Sequence, residues 1–160
     1  MTIAYRIESA LEAEAELREL LPAHMEEFER YGPPFEATPD FPTYHTLAQS
    51  GRLLMVGARD DSGALVGYWL GLLFADPHHR IRGEPAKVAM GMAYYIVPAL
   101  RAHIAKKFFD CVEEAATRSG ATMLSLRTRP EGRSGQFLEA IGYRLAEMVY
   151  VKPIGSAYDA

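Results

Sequence analysis

The chain predicts an α/β domain: a mixed central β-sheet flanked by helices, in the order β-α-α-β-β-β-α-β-α-β. Three observations carry that expectation. Apolar runs at 53–59 and 64–74 are joined by Asp60-Asp61-Ser62-Gly63, which asks for an antiparallel hairpin. An amphipathic stretch from about Leu100 to Ser119 separates two strand-like runs, 86–97 and 121–129, which asks for a helical crossover between parallel strands. No segment repeats and none is of low complexity. Hairpins early and a crossover late make the sheet mixed, antiparallel at first and parallel around the long helix.

The elements follow in order. Tyr5 to Glu8 reads as a first strand, and Leu17, Leu20, Leu21, Met25 and Phe28 recur at helical spacing in a helix from about Leu11 to Arg30. Tyr31-Gly32-Pro33-Pro34 ends that helix and opens a proline-rich loop. Thr43 to Ser50 is a short second helix stopped by Gly51. After the hairpin strands, Asp76 to Glu84 reads as a polar loop, and Ala86 to Val97 as a further strand. In the long helix Ile104, Phe108, Cys111, Val112 and Ala115 make one apolar stripe, closed by Gly120. Leu124, Leu126 and Thr128 share one face of the next strand, and Met123, Ser125, Arg127 and Arg129 the other. Ser134 to Ile141 is a short helix with Gly142 at C′, and Tyr143 to Ile154 a closing strand. Residues 1–154 are expected to form one domain and 155–160 a mobile tail.

Composition narrows the function. The 160 residues are 49% apolar and 24% charged, as in an ordinary globular domain. A net charge of −4 speaks against nucleic acid as a general partner. Cys111 is the one cysteine, so no internal disulfide and no thiolate metal cluster is expected. No basic-then-apolar leader opens the chain, and the run from Ala64 to Ala75 is too short and Gly-broken to span a bilayer. The expectation is a cytoplasmic protein with no membrane association and no metal.

The most telling stretch is Ala89 to Gly120. A strand that stops at Val97-Pro98 and passes at once into a helix leaves backbone N–H groups aimed at one spot, where the helix dipole is positive. Arg101, His103, Lys106 and Lys107 lie in or beside that first turn, so it is a candidate anion site.

The strand-Val-Pro-turn-helix unit at Tyr94–Lys107, together with Phe137-Leu138-Glu139-Ala140-Ile141-Gly142-Tyr143, resembles the GNAT family of acyl-CoA-dependent N-acyltransferases. The likeness is to short phage- and bacteria-associated members whose phosphate loop is less rich in Gly. Architecture matches over nearly the whole chain, motif over about two dozen residues. In the family a Q/R-x-x-G-x-G/A loop binds the CoA pyrophosphate. With Ala105 in its last place, Leu100 stands for Gln or Arg and His103 for the middle Gly, while Arg101 comes one place late. Either the loop tilts and His103 donates to phosphate, or pyrophosphate binds more weakly. The family's F-Y-x-x-L-G-F tyrosine, which protonates the leaving thiolate, is here Leu138.

The resemblance implies acetyl-CoA as co-substrate, held by Ile96, Val97, Arg101, Ala102, His103, Ile104, Ala105 and Lys106, with an N–H near Ile96 polarising the thioester carbonyl. It implies direct attack by an amine, with a base or a water chain taking the proton. Tyr94, Tyr95 and Glu27 are the candidate catalytic groups. Against that, Tyr94 and Tyr95 point to opposite faces and read more readily as one core tyrosine and one under a helix; Glu26 and Glu27 read as solvated helix charges. His78, His79, Arg80 and Arg82 read first as a solvated polar loop, with an acceptor rim or a base as the functional alternatives, and the adjacent His residues lack the spacing of a helical metal pair. Arg127 and Arg129 could bind an acidic acceptor, the CoA 3′-phosphate or nothing beyond surface partners. Cys111 reads as a small core residue and Trp69 as core or pocket wall. The expected acceptor is an amine-bearing small molecule or a peptide or protein amine, and a homodimer is the default assembly. The competing reading is a GNAT-fold module without catalysis that binds CoA or a partner for regulation.

Overall fold

The computed structural model describes residues 2–28, 39–128 and 133–147. The chain gathers into two compact units, Met1–Pro22 with Pro39–Arg127 and Ala23–Thr38 with Thr128–Ala160. The first holds strands β1 (Ala4–Glu8), β2 (Leu53–Arg59), β3 (Leu65–Ile81), β4 (Glu84–Ile96) and β5 (Met123–Ser125), and helices α2 (Phe41–Gln49) and α3 (Arg101–Arg118). Helix α1 (Glu14–Phe28) begins in the first unit and ends in the second; the boundary falls at Pro22, which has no N–H to give the helix. Helix α4 (Arg133–Ala140) belongs to the second unit.

The sheet runs in the order β1-β2-β3-β4-β5, antiparallel through β4 and parallel between β4 and β5. This is the mixed α/β sheet the element order predicts. The β2–β3 turn is closed by Gly63 N–H to Asp60 O at 2.9 Å and by Asp60 Oδ1, which accepts from Ser62 N–H at 2.9 Å. Its Gly63 has φ +88°, a conformation that favours glycine. Helix α2 starts two residues earlier than its periodicity suggests. Asp40 caps it, accepting from Thr43 N–H and, at 2.6 Å, from Thr43 Oγ1, while Pro42 presets the first turn. Helix α1 starts later than Leu11, because residues 10–13 form a turn against Ser9, with Ala13 N–H on Ser9 O at 3.0 Å.

Alternation on the strands divides the core. On one face Met55, Tyr68, Leu70 and Tyr95 pack with Ala10, Ala13, Leu17 and Phe41. On the other, Phe108, Phe109 and Val112 of α3 are buried, with Phe108 against Tyr5 and Phe109 edge-on to Tyr94 at 5.5 Å. The stripe of α3 is Ile104, Phe108, Phe109, Val112, Ala115 and Ala116. Cys111 sits beside it, half-buried rather than in the core as its spacing suggested; desolvation, then Glu114, pushes its thiol up, away from nucleophilic character. At the outer strands Arg59 donates to Glu8 through Nε and Nη2, both at 2.7 Å, and to Glu16 through Nη1 and Nη2, at 2.6 and 2.7 Å, tying β1, β2 and α1 together.

Two expectations are corrected. Asp76 to Glu84 is not a loop: β3 and β4 continue as a two-stranded arm whose turn is Arg82-Gly83, with φ +53° and +89°. The polar side chains satisfy one another locally, Asp76 accepting from the N–H groups of His78 and His79 and pairing with His79 Nδ1 at 2.8 Å. The strand expected over 121–129 is only three residues long, since beyond Ser125 the chain no longer pairs with β4. In the second unit α4 ends with Gly142 at φ +103° as expected. Residues 143–147 have no strand pairing, and the remainder of the expected closing strand, the tail and Arg129 lie outside the described residues.

Candidate functional site

The site is built by what β4 does after its partner leaves it. Pairing with β5 covers only Val88, Ala89 and Met90. One residue on, the β3–β4 register slips: Leu70 faces Ala93 but Gly71 faces Gly91, leaving Met92 as a bulge. From there to Ile96 the outer edge of β4 has no strand beside it among the described residues. Val97 N–H bonds to Val66 O at 3.0 Å, toward β3. Backbone alternation therefore turns the N–H and C=O of Ile96, and of Tyr94, to the free edge.

At the end of that edge the chain makes a single 3-10 turn, Pro98–Leu100, and enters α3. Leu100 N–H goes to Val97 O and Arg101 N–H to Pro98 O. The helix has no side-chain cap and no acidic residue in its first turn. Ala102 and His103 are exposed there, so their N–H groups and the positive end of the dipole face outward. Arg101 is half-buried; its Nε donates to Ile96 O at 2.7 Å and its guanidinium lies 5.4 Å from the Tyr95 ring. Arg101 thus fastens the helix start back onto the strand end. Ile104 is buried and anchors the turn with its side chain, leaving only its backbone to the site. Ala105 is half-buried, and Lys106 is exposed and paired with Asp110 at 3.0 Å.

The two tyrosines separate as alternation requires. Tyr95 is buried on the Leu17 side, 6.4 Å from Tyr68, and Tyr94 is half-buried on the α3 side against Phe109. Glu27, half-buried, and Leu138, buried, belong to the second compact unit. His78, His79, Arg80 and Arg82 lie at the far end of β4 from the turn, roughly 40 Å away along a 13-residue strand. Arg127 is exposed, its Nη2 3.5 Å from Met90 Sδ. Among the described residues no group of three or more His, Cys, Asp or Glu is arranged to hold a metal, and no helix is long and apolar enough to cross a membrane.

The sequence reading missed two features. One is the Arg101–Ile96 tie, whose only local signal is the five-residue spacing across the Pro turn. The other is the indole of Trp69, which lies over the cross-strand pair Gly71–Gly91: a Cβ on Gly71 would collide with Trp69 Cη2, and one on Gly91 would stand 2.9 Å from Trp69 Nε1. A Trp two residues from a Gly on one strand face was the available signal.

A free strand edge leading to an uncapped helix start suits an extended, amide-bearing ligand that ends in phosphates. The chain superposes on the aminoglycoside N-acetyltransferase AAC(6')-Iy in complex with a bisubstrate analogue, CoA-S-monomethyl-acetylneamine, with a TM-score of 0.72 at 19% identity over 97% of this chain and 99% of that one. It superposes on a ribosomal-protein-alanine N-acetyltransferase from Brucella melitensis biovar Abortus 2308 with a TM-score of 0.69 at 22% identity, covering 96% and 100% of the two chains. For AAC(6')-Ih of Acinetobacter baumannii the figures are 0.67, 16%, 96% and 100%. No family model and no curated protein matches the sequence. The fold is that of the GNAT N-acetyltransferases.

Proposed function

We propose that this protein moves an acetyl or other short acyl group from acyl-CoA to a primary amine by direct attack. The observation that carries the reading is the continuity of the free edge of β4 with the uncapped start of α3. The pantetheine arm adds to β4 as an extra strand would, and the pyrophosphate meets the N–H groups of Ala102 and His103. The Ile96 N–H faces the edge along which the pantetheine arm lies and donates to one of its carbonyls. Val97 shapes the strand end, while Arg101, Ala105 and Lys106 complete the turn. Tyr94 and Tyr95 flank the same strand segment, and we retain them with Glu27 as candidates for moving the amine and thiolate protons. Leu138 in place of a tyrosine leaves the thiolate to depart with protonation from water, a tolerable course for so weak a base near neutral pH.

The acceptor is an amine-bearing small molecule or a peptide amine. Aminoglycoside and ribosomal-protein acetyltransferases are both among the proteins of like fold, so the fold alone selects neither.

Calorimetric titration with acetyl-CoA, with desulfo-CoA and ADP as controls, tests the reading. Micromolar binding of acetyl-CoA followed by amine-dependent release of free CoA thiol is expected. Binding without release in a broad amine screen favours a regulatory CoA-binding module, for which His103 and Leu138 are the motivation. Absence of binding overturns both.

A further inference from the structure

Trp69 is fully buried on β3, and its Nε1 has no hydrogen-bond partner among the described residues. A buried indole N–H ordinarily finds an acceptor, because leaving one unpaired costs about 1–3 kcal/mol. The position of this nitrogen is informative. The Cβ position above Gly91 is 2.9 Å from Trp69 Nε1, 2.9 Å from Leu126 Cδ2 and 3.4 Å from Ser125 O. Met90↔Ser125 is the last β4–β5 pair, so the nitrogen edge of the indole stands where the two strands part. Glycine at both 71 and 91 lets the ring lie flat on the sheet and reach that point. The nitrogen therefore lies over Gly91, beside the gap that opens where β5 leaves β4.

We propose that Trp69 Nε1 donates a hydrogen bond to a carbonyl oxygen of the acyl-pantetheine arm lying along β4. The inference rests on the acyl-CoA reading above and adds to it a positioning donor from the neighbouring strand. Two carbonyls of that arm have the right chemistry, the thioester and the nearest pantetheine amide. The first is present only in acetyl-CoA, the second in CoA as well.

Trp69 is the only tryptophan, so protein labelled with 15N gives one indole N–H resonance that reports on this atom alone. Saturating acetyl-CoA is expected to move its proton downfield, while ADP, which lacks the arm, leaves it in place. A matching shift with CoA assigns the amide carbonyl, and no shift with CoA assigns the thioester. If acetyl-CoA binds by calorimetry but the resonance stays, or if ADP moves it equally, the proposal is overturned and the functional reading survives. If acetyl-CoA does not bind, both fall. Trp69→Phe keeps a ring over the glycines and removes the donor. It should weaken acetyl-CoA binding about 2- to 10-fold, the range of one neutral hydrogen bond, with ADP affinity unchanged. Equal losses for both ligands, or no loss, would overturn the proposal.

Discussion

Gly71 and Gly91 show how single atoms shape this protein. Neither has a positive φ, and the requirement is one of space, since the Trp69 indole occupies the room a Cβ needs. Gly71→Ala should therefore destabilise the fold by about 1–3 kcal/mol through overpacking, measured by urea unfolding. Pairing it with Trp69→Leu should recover part of that loss, because the obstructing ring is gone; a fully additive double mutant would refute the account. At the helix start, Arg101→Glu removes the donor to Ile96 O and puts an anion beside the proposed phosphate site. A loss of acetyl-CoA affinity of 10-fold or more is expected, and a smaller one for Lys106→Glu, whose ammonium already faces Asp110. His103→Gly should keep or tighten affinity, since it restores close backbone approach. A large loss would show that the imidazole itself contacts the ligand.

Among the elements, the tie of β1, β2 and α1 through Arg59 has a pH signature. The guanidinium holds the Glu16 carboxyl below the usual carboxylate range, first through its hydrogen bonds and then through its charge, against an opposing desolvation. A carboxylate with a lowered folded-state pKa stabilises the fold fully above its unfolded pKa and loses that contribution as pH falls through the folded one. The pair's share of stability should drain on acidification below about pH 4.5, the ordinary value for Glu. Arg59→Met should cost about 1.5–3 kcal/mol at pH 7 and flatten that acid slope in denaturant titrations. An unchanged slope would place the acid sensitivity elsewhere. The β3–β4 arm behaves differently. Beyond Leu73 no β2 residue flanks β3, and before Lys87 no β5 residue flanks β4, so the arm stands on its own cross-strand pairs. Replacing residues 77–85 with Asn-Gly joins the paired Asp76 and Ala86 through a tight turn. Acetyl-CoA affinity should stay within about twofold, since that end of β4 is roughly 40 Å from the turn. A large loss would mean that the arm supports the site.

For the molecule as a whole, the sequence pattern defined most elements because their signals are local. Apolar spacing marked α3 and the hairpin strands, Pro and Gly marked their ends, and the crossover dictated the parallel β4–β5 pair. The uncapped turn at 97–103 was equally legible, since a strand that runs through Pro into a helix is written in consecutive residues. The polar arm misled because Asp, His and Arg suit a loop as well as an exposed ribbon, whose alternating sides both face water. Cys111 misled because one step along a helix turns a side chain about 100°, so a stripe read from spacing blurs at its rim.

The sequence by itself determined the fold class, the order of elements from β1 to α4 and the turn at which β4 passes into an uncapped helix, because each follows from periodicity, caps and breakers within a short span. Tertiary structure alone decided where β5 leaves β4, that Arg101 returns to Ile96 O, and that the Trp69 donor comes to rest over Gly71 and Gly91. Those contacts join residues of different strands or opposite ends of a turn. Their geometry depends on register, a bulge and the fit of one ring on a sheet, and no local propensity encodes these.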